Sequence, residues 1–377
     1  MLSLRKHFDE IVAHMPWVVE PTPIAEDGAL EPQEERTRQL IQFMSELGAA
    51  MNSAGDATTF IRRSLLRIAR AYGLRDLRIS VVPTMLLVRY GRDQATVMDM
   101  TDNLPVELRL DQVAQLYDLL EEAEAGKVEP ALGLQRLRQA LKQPVRSRRP
   151  VELAGLSLLA LGIGLVLESS ALELLICTLL GACAGLIKLA AGRWPAVWPL
   201  VPVAAGSITA SIAFVLIEAG LEVRTLNVLL PALAAFLPGA TITVSMIELS
   251  SGDIVAGGSR LAAGSTRLLL LVLGIIIASQ LVSPPASTAS PSDLPLPRLA
   301  PLLGLVVFTC GVALHFTAPT GAFFWMLAVA CAAWGAQQAT GSLLGGYLSA
   351  AIGGAVMIVV ARLEQVRPSA PPMAALR

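Results

Sequence analysis

Residues 236–253 read FLPGATITVSMIELSSGD, inside one of the most apolar parts of a 377-residue chain. The apolar stretch around them, near 226–247, is long enough to cross a bilayer, which takes about 20 residues. Yet Pro238 and Gly239 interrupt it, hydroxyls follow at Thr241, Thr243 and Ser245, and a carboxylate stands at Glu248. Proline has no N–H to give and disturbs the turn before it, and glycine weakens the helix further. Freed carbonyls are costly in hydrocarbon, so such a break persists where protein or a water-filled cavity surrounds it. If helix resumes after the break, Thr241, Ser245 and Glu248 recur at i, i+4 and i+7 on one face. If the segment stays unwound, Thr241, Thr243 and Ser245 share a side instead. Either way a polar strip lies beside exposed backbone, the arrangement from which discontinuous spans build substrate sites. The plainer account is that Ser and Thr hydroxyls bond to their own helix backbone.

The rest of the composition sets this stretch in a membrane protein with a soluble part. The chain is 54% hydrophobic and 16% charged, with a mean hydropathy of +0.60. That excludes disorder and does not suit a wholly soluble globule. A net charge of −1 gives no basic field for nucleic acid. Charge is divided unevenly: residues 1–150 carry 20 Lys/Arg and 21 Asp/Glu, residues 151–377 nine of each. Cys177, Cys183, Cys310 and Cys331 all fall in apolar runs with no CxxC pattern, so they read as small hydrophobes rather than a metal site or disulfide framework.

Residues 1–34 read as a flexible arm or linker, rich in Pro and acid over 18–34. Its first 17 residues could lie on a surface as an amphipathic helix. No apolar secretory core precedes Asp9 and Glu10. Residues 35–148 read as a cytoplasmic α+β domain. Leu40, Met44, Leu47 and Met51 predict one helix, and Ile61, Leu65, Ile68 and Tyr72 a second, over about 57–72. Gly55 and Gly73 are the expected stops and Asp56 the expected cap. Alternation at Leu77, Ile79 and Val81 predicts a strand, Pro83-Thr84 a turn, and 85–90 a second strand. Helices are expected at 110–125 and 129–141. The domain has no nucleophile–base pair, metal cluster or phosphate loop. An Arg63, Arg67, Arg70 stripe suits either an anion or a solvated helix face.

Eight spans are expected, near 151–168, 171–190, 197–218, 226–247, 262–283, 299–316, 320–337 and 341–361. The fold class is thus an α-helical polytopic membrane protein, with about 8 transmembrane helices and an N-terminal soluble α+β domain. The membrane part divides into a first bundle of about five helices at 149–284 and a Ser/Pro-rich external loop at 285–298. A shortened second part of about three helices follows at 299–363, then a tail at 364–377. Arg146, Arg148 and Arg149, then Lys188, Arg193, Arg260, Arg267, Arg362 and Arg367, fall on one side, which places both ends inside. Small residues at Gly181/Gly185, Gly206/Ala210 and Gly341/Gly345/Ser349/Gly353 predict close helix packing, with dimerisation through one such face as the alternative. Ser207 and Ser211 form a second hydroxyl strip in the third span, with Thr209 nearby and Asn227 opening the fourth. No Asp or Glu lies at the centre of a span.

Two stretches together resemble the threonine/serine exporter family of secondary transporters. They are LGAAMNSAGDATTFIRRSLLRIARAYGLRDLRISVVPTMLLVRY (47–90) and LPGATITVSMIELSSGDIVAGGSRLAAG (237–264). The family pattern maps onto Pro83, Thr84, Pro238, Gly239, Glu248, Gly252, Asp253, Gly257 or Gly258, and Arg260, within a resemblance covering roughly 36–360. Glu248 stands where relatives usually carry Asp. Relatives also have about ten spans in two halves, each with a Pro-Gly segment; this sequence ends near where the second would begin. A shortened member, or one completed by a homo-oligomer or a complementing membrane subunit, is the reading. The resemblance implies export of small hydrophilic metabolites, threonine and serine first, across the bacterial cytoplasmic membrane. It implies no cofactor beyond proton coupling, and the lipid bilayer and a small-molecule substrate as partners. The alternatives are a dicarboxylate (succinate-like) exporter subunit, or a membrane-anchored enzyme or sensor acting through residues 36–145. Substrate contacts are expected from Ser207, Ser211, Pro238, Gly239, Thr241, Thr243, Ser245 and Glu248, and a gate or loop anchor from Asp253 and Arg260.

Overall fold

The computed structural model describes residues 32–91, 97–102, 108–143, 149–192, 194–282, 299–319 and 321–364. Most of the arm, the external loop and the tail lie outside these ranges. Residues Gln39–Arg377 form one compact unit.

The chain begins with α1 (Pro32–Ser53) and α2 (Thr58–Ala71). The residues that set their periodicity, Leu40, Met44, Leu47 and Met51, then Ile61, Leu65 and Ile68, are all buried. Gly55 and Gly73 follow the two helices with φ of +92° and +79°, a left-handed turn that glycine adopts without a Cβ penalty. Strands β1 (Leu77–Val82) and β2 (Met85–Tyr90) pair antiparallel, with Val82 opposite Met85, so Pro83-Thr84 is a two-residue hairpin turn. A third strand, β3 (Val97–Asp102), pairs with β2 and was not anticipated. Its amphipathic signal is inverted: Met98 and Met100 point outward at 63% and 61% exposure, so alternation gives no inward apolar face to read. Helices α3 (Leu110–Glu124) and α4 (Pro130–Lys142) complete the segment. One core joins the four helices with β1 and β2, with Phe43, Met44, Leu65, Leu86, Leu116 and Leu137 essentially sealed from solvent.

The apolar half comprises α5 (Arg149–Val166), α6 (Ala171–Ala191) and α7 (Val201–Glu218, led by a 3₁₀ turn). It continues with α8 (Thr225–Leu233), α9 (Gly239–Ser250), α10 (Ile254–Leu281), α11 (Ala300–His315) and α12 (Ala322–Glu364). Among the described residues, four helices are long and apolar enough to cross a bilayer: 149–166, 171–191, 197–218 and 254–281. A fifth span is available if the bent α8–α9 pair counts as one. At 16 residues, α11 reaches roughly 24 Å, short of the hydrocarbon core. The expected break near 338–340 is absent; helix continues to Gly345, which leaves helical geometry at φ 76°, ψ 167°. There the chain doubles back. A Cβ on Gly353 would lie 2.9 Å from the Ala333 carbonyl, whereas twenty residues of straight helix would separate them by roughly 30 Å.

Glycines set the closest helix crossings. Helices α5 and α11 run antiparallel so tightly that a Cβ on Gly162 would sit 2.3 Å from the Phe308 nitrogen, and one on Gly311 2.4 Å from that of Leu159. Helices α7 and α10 meet in the same way: a Cβ on Gly206 would lie 2.6 Å from the Leu271 carbonyl, and one on Gly274 2.3 Å from that of Val203. Gly181 and Gly185 receive α5 side chains. Gly181, Gly185 and Gly206, singled out in the sequence, therefore pack within the chain. The α5–α11 pair was not anticipated, although Gly155/Gly162 and Gly304/Gly311 each repeat at seven residues, two helical turns.

Replacing Gly162 by Val forces the α5 and α11 backbones apart and should cost about 3 kcal/mol. Gly258→Ala, where nothing lies within 4 Å, should be neutral or stabilising by up to about 1 kcal/mol. Thermal unfolding of the two variants in detergent separates them; equal midpoints would contradict the packing described.

Candidate functional site: a broken helix and the buried clamp at its end

Helix α8 contains Pro231 and winds down into a 3₁₀ turn at 234–236. Leu237 is extended, Pro238 caps the next helix, and the two halves bend by 62°. Helix does resume at Gly239, so Thr241, Ser245 and Glu248 share one face, the first of the two geometries the sequence allowed. Ser245 and Glu248 are buried, Thr241 is half-buried, and Thr243 is exposed. The hydroxyls bond locally, as the plainer account held: Thr243 Oγ1 donates to the Gly239 carbonyl at 2.9 Å and Ser245 Oγ to that of Ile242 at 2.6 Å.

The two sides of the break differ. Before it, Leu233 packs with Ala205 of α7 and Leu271 of α10, flanked by Phe236 and Ile275. After it, the start of α9 is open. Among the described residues, no side chain caps it and nothing lies within 4 Å of a Cβ position at Gly239; Gly239 and Ala240 are exposed. The first bond of the new helix is Ile242 N–H to the Pro238 carbonyl, 3.0 Å, so the amides of Gly239, Ala240 and Thr241 have no acceptor within the helix. These donors carry the positive end of the helix dipole.

The second hydroxyl strip does not face the first. Ser207 borders Gly274 and Thr241 borders Gly264, ten residues apart along α10, or roughly 15 Å. Ser207 Oγ donates to the Ala204 carbonyl at 3.3 Å, and Ser211 is half-buried in α7.

Glu248, Asp253 and Arg260 are brought together at the far end of α9, and their partners come from the beginning of the chain. Glu248 Oε1 accepts the Thr58 backbone N–H at 3.0 Å, and Arg260 Nε approaches it to 3.2 Å. Arg260 also donates to Asn52 Oδ1 at 2.6 Å and to the Asp56 carbonyl at 3.0 Å. Thr58 Oγ1 donates to Asp253 Oδ2 at 2.6 Å, while Asp253 Oδ1 caps α10 through Ala256 N–H at 3.2 Å. Glu248 is wholly buried and the Arg260 side chain is 13% exposed. Thr58 is the first residue of α2, so a carboxylate 190 residues away sits at that helix's positive end. Asp56, expected to cap α2, does not. The residue before the helix is Ala57, without a side-chain cap, and Asp56 instead accepts a hydrogen bond from the Tyr117 hydroxyl. Glycine tightens the clamp, because a Cβ on Gly257 would lie 2.8 Å from the Ser245 carbonyl. Among the described residues, Glu248 Oε2 and Arg260 Nε are buried with no hydrogen-bond partner, so the Arg260–Glu248 contact is ionic.

Sequence reasoning missed Asn52 and Thr58, treating NSAGD as a helix break only. It also missed a second anchor at the opposite end of the broken helix. Glu173, 3% exposed, accepts from the Arg224 backbone N–H at 2.7 Å and from its guanidinium at 2.9 and 3.0 Å. The Ser170-x-x-Glu173 spacing of a capping box, which the structure forms, was the available signal. Among the described residues, no group of three or more His, Cys, Asp or Glu side chains is placed to hold a metal ion.

A family model described as "Putative threonine/serine exporter" matches residues 42–282. The chain belongs to this family. The match runs from α1 to the end of α10 and so takes in the clamp and the break; residues 283–360, included in the resemblance above, lie beyond it. No match is found among curated proteins or solved structures. Membership in an exporter family, with several helices of membrane-spanning length and apolarity, makes this a membrane transport protein.

Arg260→Met leaves Glu248 buried without its cation and should cost about 3–5 kcal/mol. In a double-mutant cycle with Glu248→Gln, the two losses should fall short of additivity by about 1 kcal/mol or more. Unfolding of the purified variants reads both; additive losses would show that the pair does not interact.

Proposed function

We propose that this exporter-family chain is a secondary transporter, not an enzyme, carrying threonine and serine out across the bacterial inner membrane. The observation that carries the reading is the open start of α9 beside a 62° bend in an otherwise apolar span. Three free amides at a helix N-terminus suit the substrate carboxylate, and the half-buried Thr241 suits its hydroxyl. Ser245, one turn on, could join by rotating its hydroxyl away from Ile242. Ser207 and Ser211 belong to the path along α10 rather than to the same contact shell. With its N-terminal segment cytoplasmic and eight membrane-embedded helical segments, the chain would place the clamp on the inner side. Residues 35–148 then act as a cytoplasmic α+β domain fixed to α9. No cofactor is required beyond a coupling proton. A second copy, or a complementing membrane subunit, would cover Gly239, Ala240 and Thr243, which face outward from this chain.

Counterflow in proteoliposomes tests this. Labelled threonine and serine should accumulate, and succinate should not. Pro238→Ala with Gly239→Ala should straighten the span and lower threonine counterflow by about tenfold or more, with circular dichroism unchanged. Undiminished counterflow in that variant would remove the break from the transport path, and succinate uptake alone would replace the substrate assignment.

A further inference from the structure

A cleft of about 630 Å³ opens where α2 and β1 meet the α9–α10 turn, outside the broken helix. Its size is that of a small-molecule site. One wall is a face of α2 on which Thr59, Arg62, Arg63 and Leu66 recur at i, i+3, i+4 and i+7. This face lies opposite the buried one of Ile61, Ser64, Leu65 and Ile68. A second wall is residues 79–82 of β1, the strand at the sheet edge, whose outer side has no strand beside it among the described residues. The facing wall is Ser251, Gly252, Asp253 and Val255.

The charges are arranged across this space. Among the described residues no carboxylate pairs with Arg62 or Arg63, whereas Arg67, the next arginine of the sequence stripe, is taken by Glu124 at 2.7 Å. Asp253 stands opposite, half-buried. It accepts from Thr58 Oγ1 and Ala256 N–H, one bond on each oxygen, which leaves lone pairs for a further donor. The walls are fixed to one another by the Glu248–Thr58–Arg260 clamp behind them.

We infer that this cleft binds an amino-acid zwitterion, with Arg62 and Arg63 on the α-carboxylate and Asp253 on the α-ammonium. The choice of ligand rests on the exporter reading above; the cleft would be the site at which substrate is collected before α9. A bare anion would use the arginine wall alone, and a dicarboxylate would meet repulsion from Asp253. The flexible guanidinium pair recognises a carboxylate by charge-assisted bonds, and the apolar Leu66 and Val255 border the side chain.

The full-length protein in detergent is tested for binding of labelled threonine, with succinate and inorganic phosphate as competitors. Arg62→Gln/Arg63→Gln should weaken threonine binding by about tenfold or more, and Arg62→Lys/Arg63→Lys should retain part of it. In a Ser251→Cys variant, threonine should slow maleimide labelling of the new thiol relative to the parent chain. Unchanged binding in the Gln variant with no protection at position 251 would overturn the site. Displacement of threonine by phosphate or succinate as effective as by serine would overturn the zwitterion. Counterflow by the parent chain is measured in parallel. Threonine transport without cleft binding sinks this inference alone, whereas binding without transport of any amino acid sinks the exporter reading and leaves the cleft.

Discussion

A carboxylate without partners in an apolar interior is very costly. Glu248 is wholly buried, so the fold around it must answer that cost locally. It does so with two partners, one distant in sequence and one near: the first amide of α2, 190 residues away, and the guanidinium of Arg260 on the next helix. Arg260 in turn is held by Asn52 and the Asp56 carbonyl, and Thr58 reaches Asp253. Most of the clamp's polar groups are satisfied in this way, Glu248 Oε2 and Arg260 Nε excepted among the described residues. The segment that precedes the membrane helices is thereby fastened to the end of α9 by charge and hydrogen bonds rather than by apolar area. A second tie, from Leu110 N–H to the Phe316 carbonyl at 3.1 Å, joins α3 to the end of α11.

The same clamp gives the broken helix its mechanical setting. One end of α8 is held by Glu173 and Arg224, and the far end of α9 by Glu248, Asp253 and Arg260. Between two such anchors, the helical hydrogen-bond ladder is interrupted at Pro238, which has no N–H to give. The open start of α9 and the clamp lie at the two ends of one twelve-residue helix. The surrounding scaffold is stiff by comparison. Glycine crossings bring α5 to α11 and α7 to α10 within backbone contact, leaving no side-chain layer to absorb movement.

The distribution of polar groups follows from this division of labour. Hydroxyls in the apolar half bond to their own helices, as Thr209 does to the Ala205 carbonyl at 2.6 Å and Thr309 to that of Leu305 at 2.7 Å. They cost little and fix nothing. At the clamp, the groups that reach across the chain are the side chains of Asn52, Thr58, Glu248, Asp253 and Arg260 with the Thr58 N–H. That is why the oxygens of Ser245 and Thr243, prominent in the sequence, proved local, while Glu248 proved long-range.

The sequence alone determined whatever depends on neighbours a few residues away. Helical spacing located α1 and α2, alternation located β1, apolar runs of bilayer length located most of the later helices, and Pro238-Gly239 located the bend, because proline and glycine act on the backbone within one turn. It also carried the family, through two contiguous stretches taken together, 47–90 and 237–264. It could not show β3, whose outward residues are methionines, or that α12 turns at Gly345, where several glycines in series were equally able to turn. Tertiary structure alone decided the partners of Glu248. A carboxylate and a helix start 190 positions apart carry no mutual signal in a single sequence; they meet only after packing has excluded water, and exclusion of water is what makes their meeting necessary.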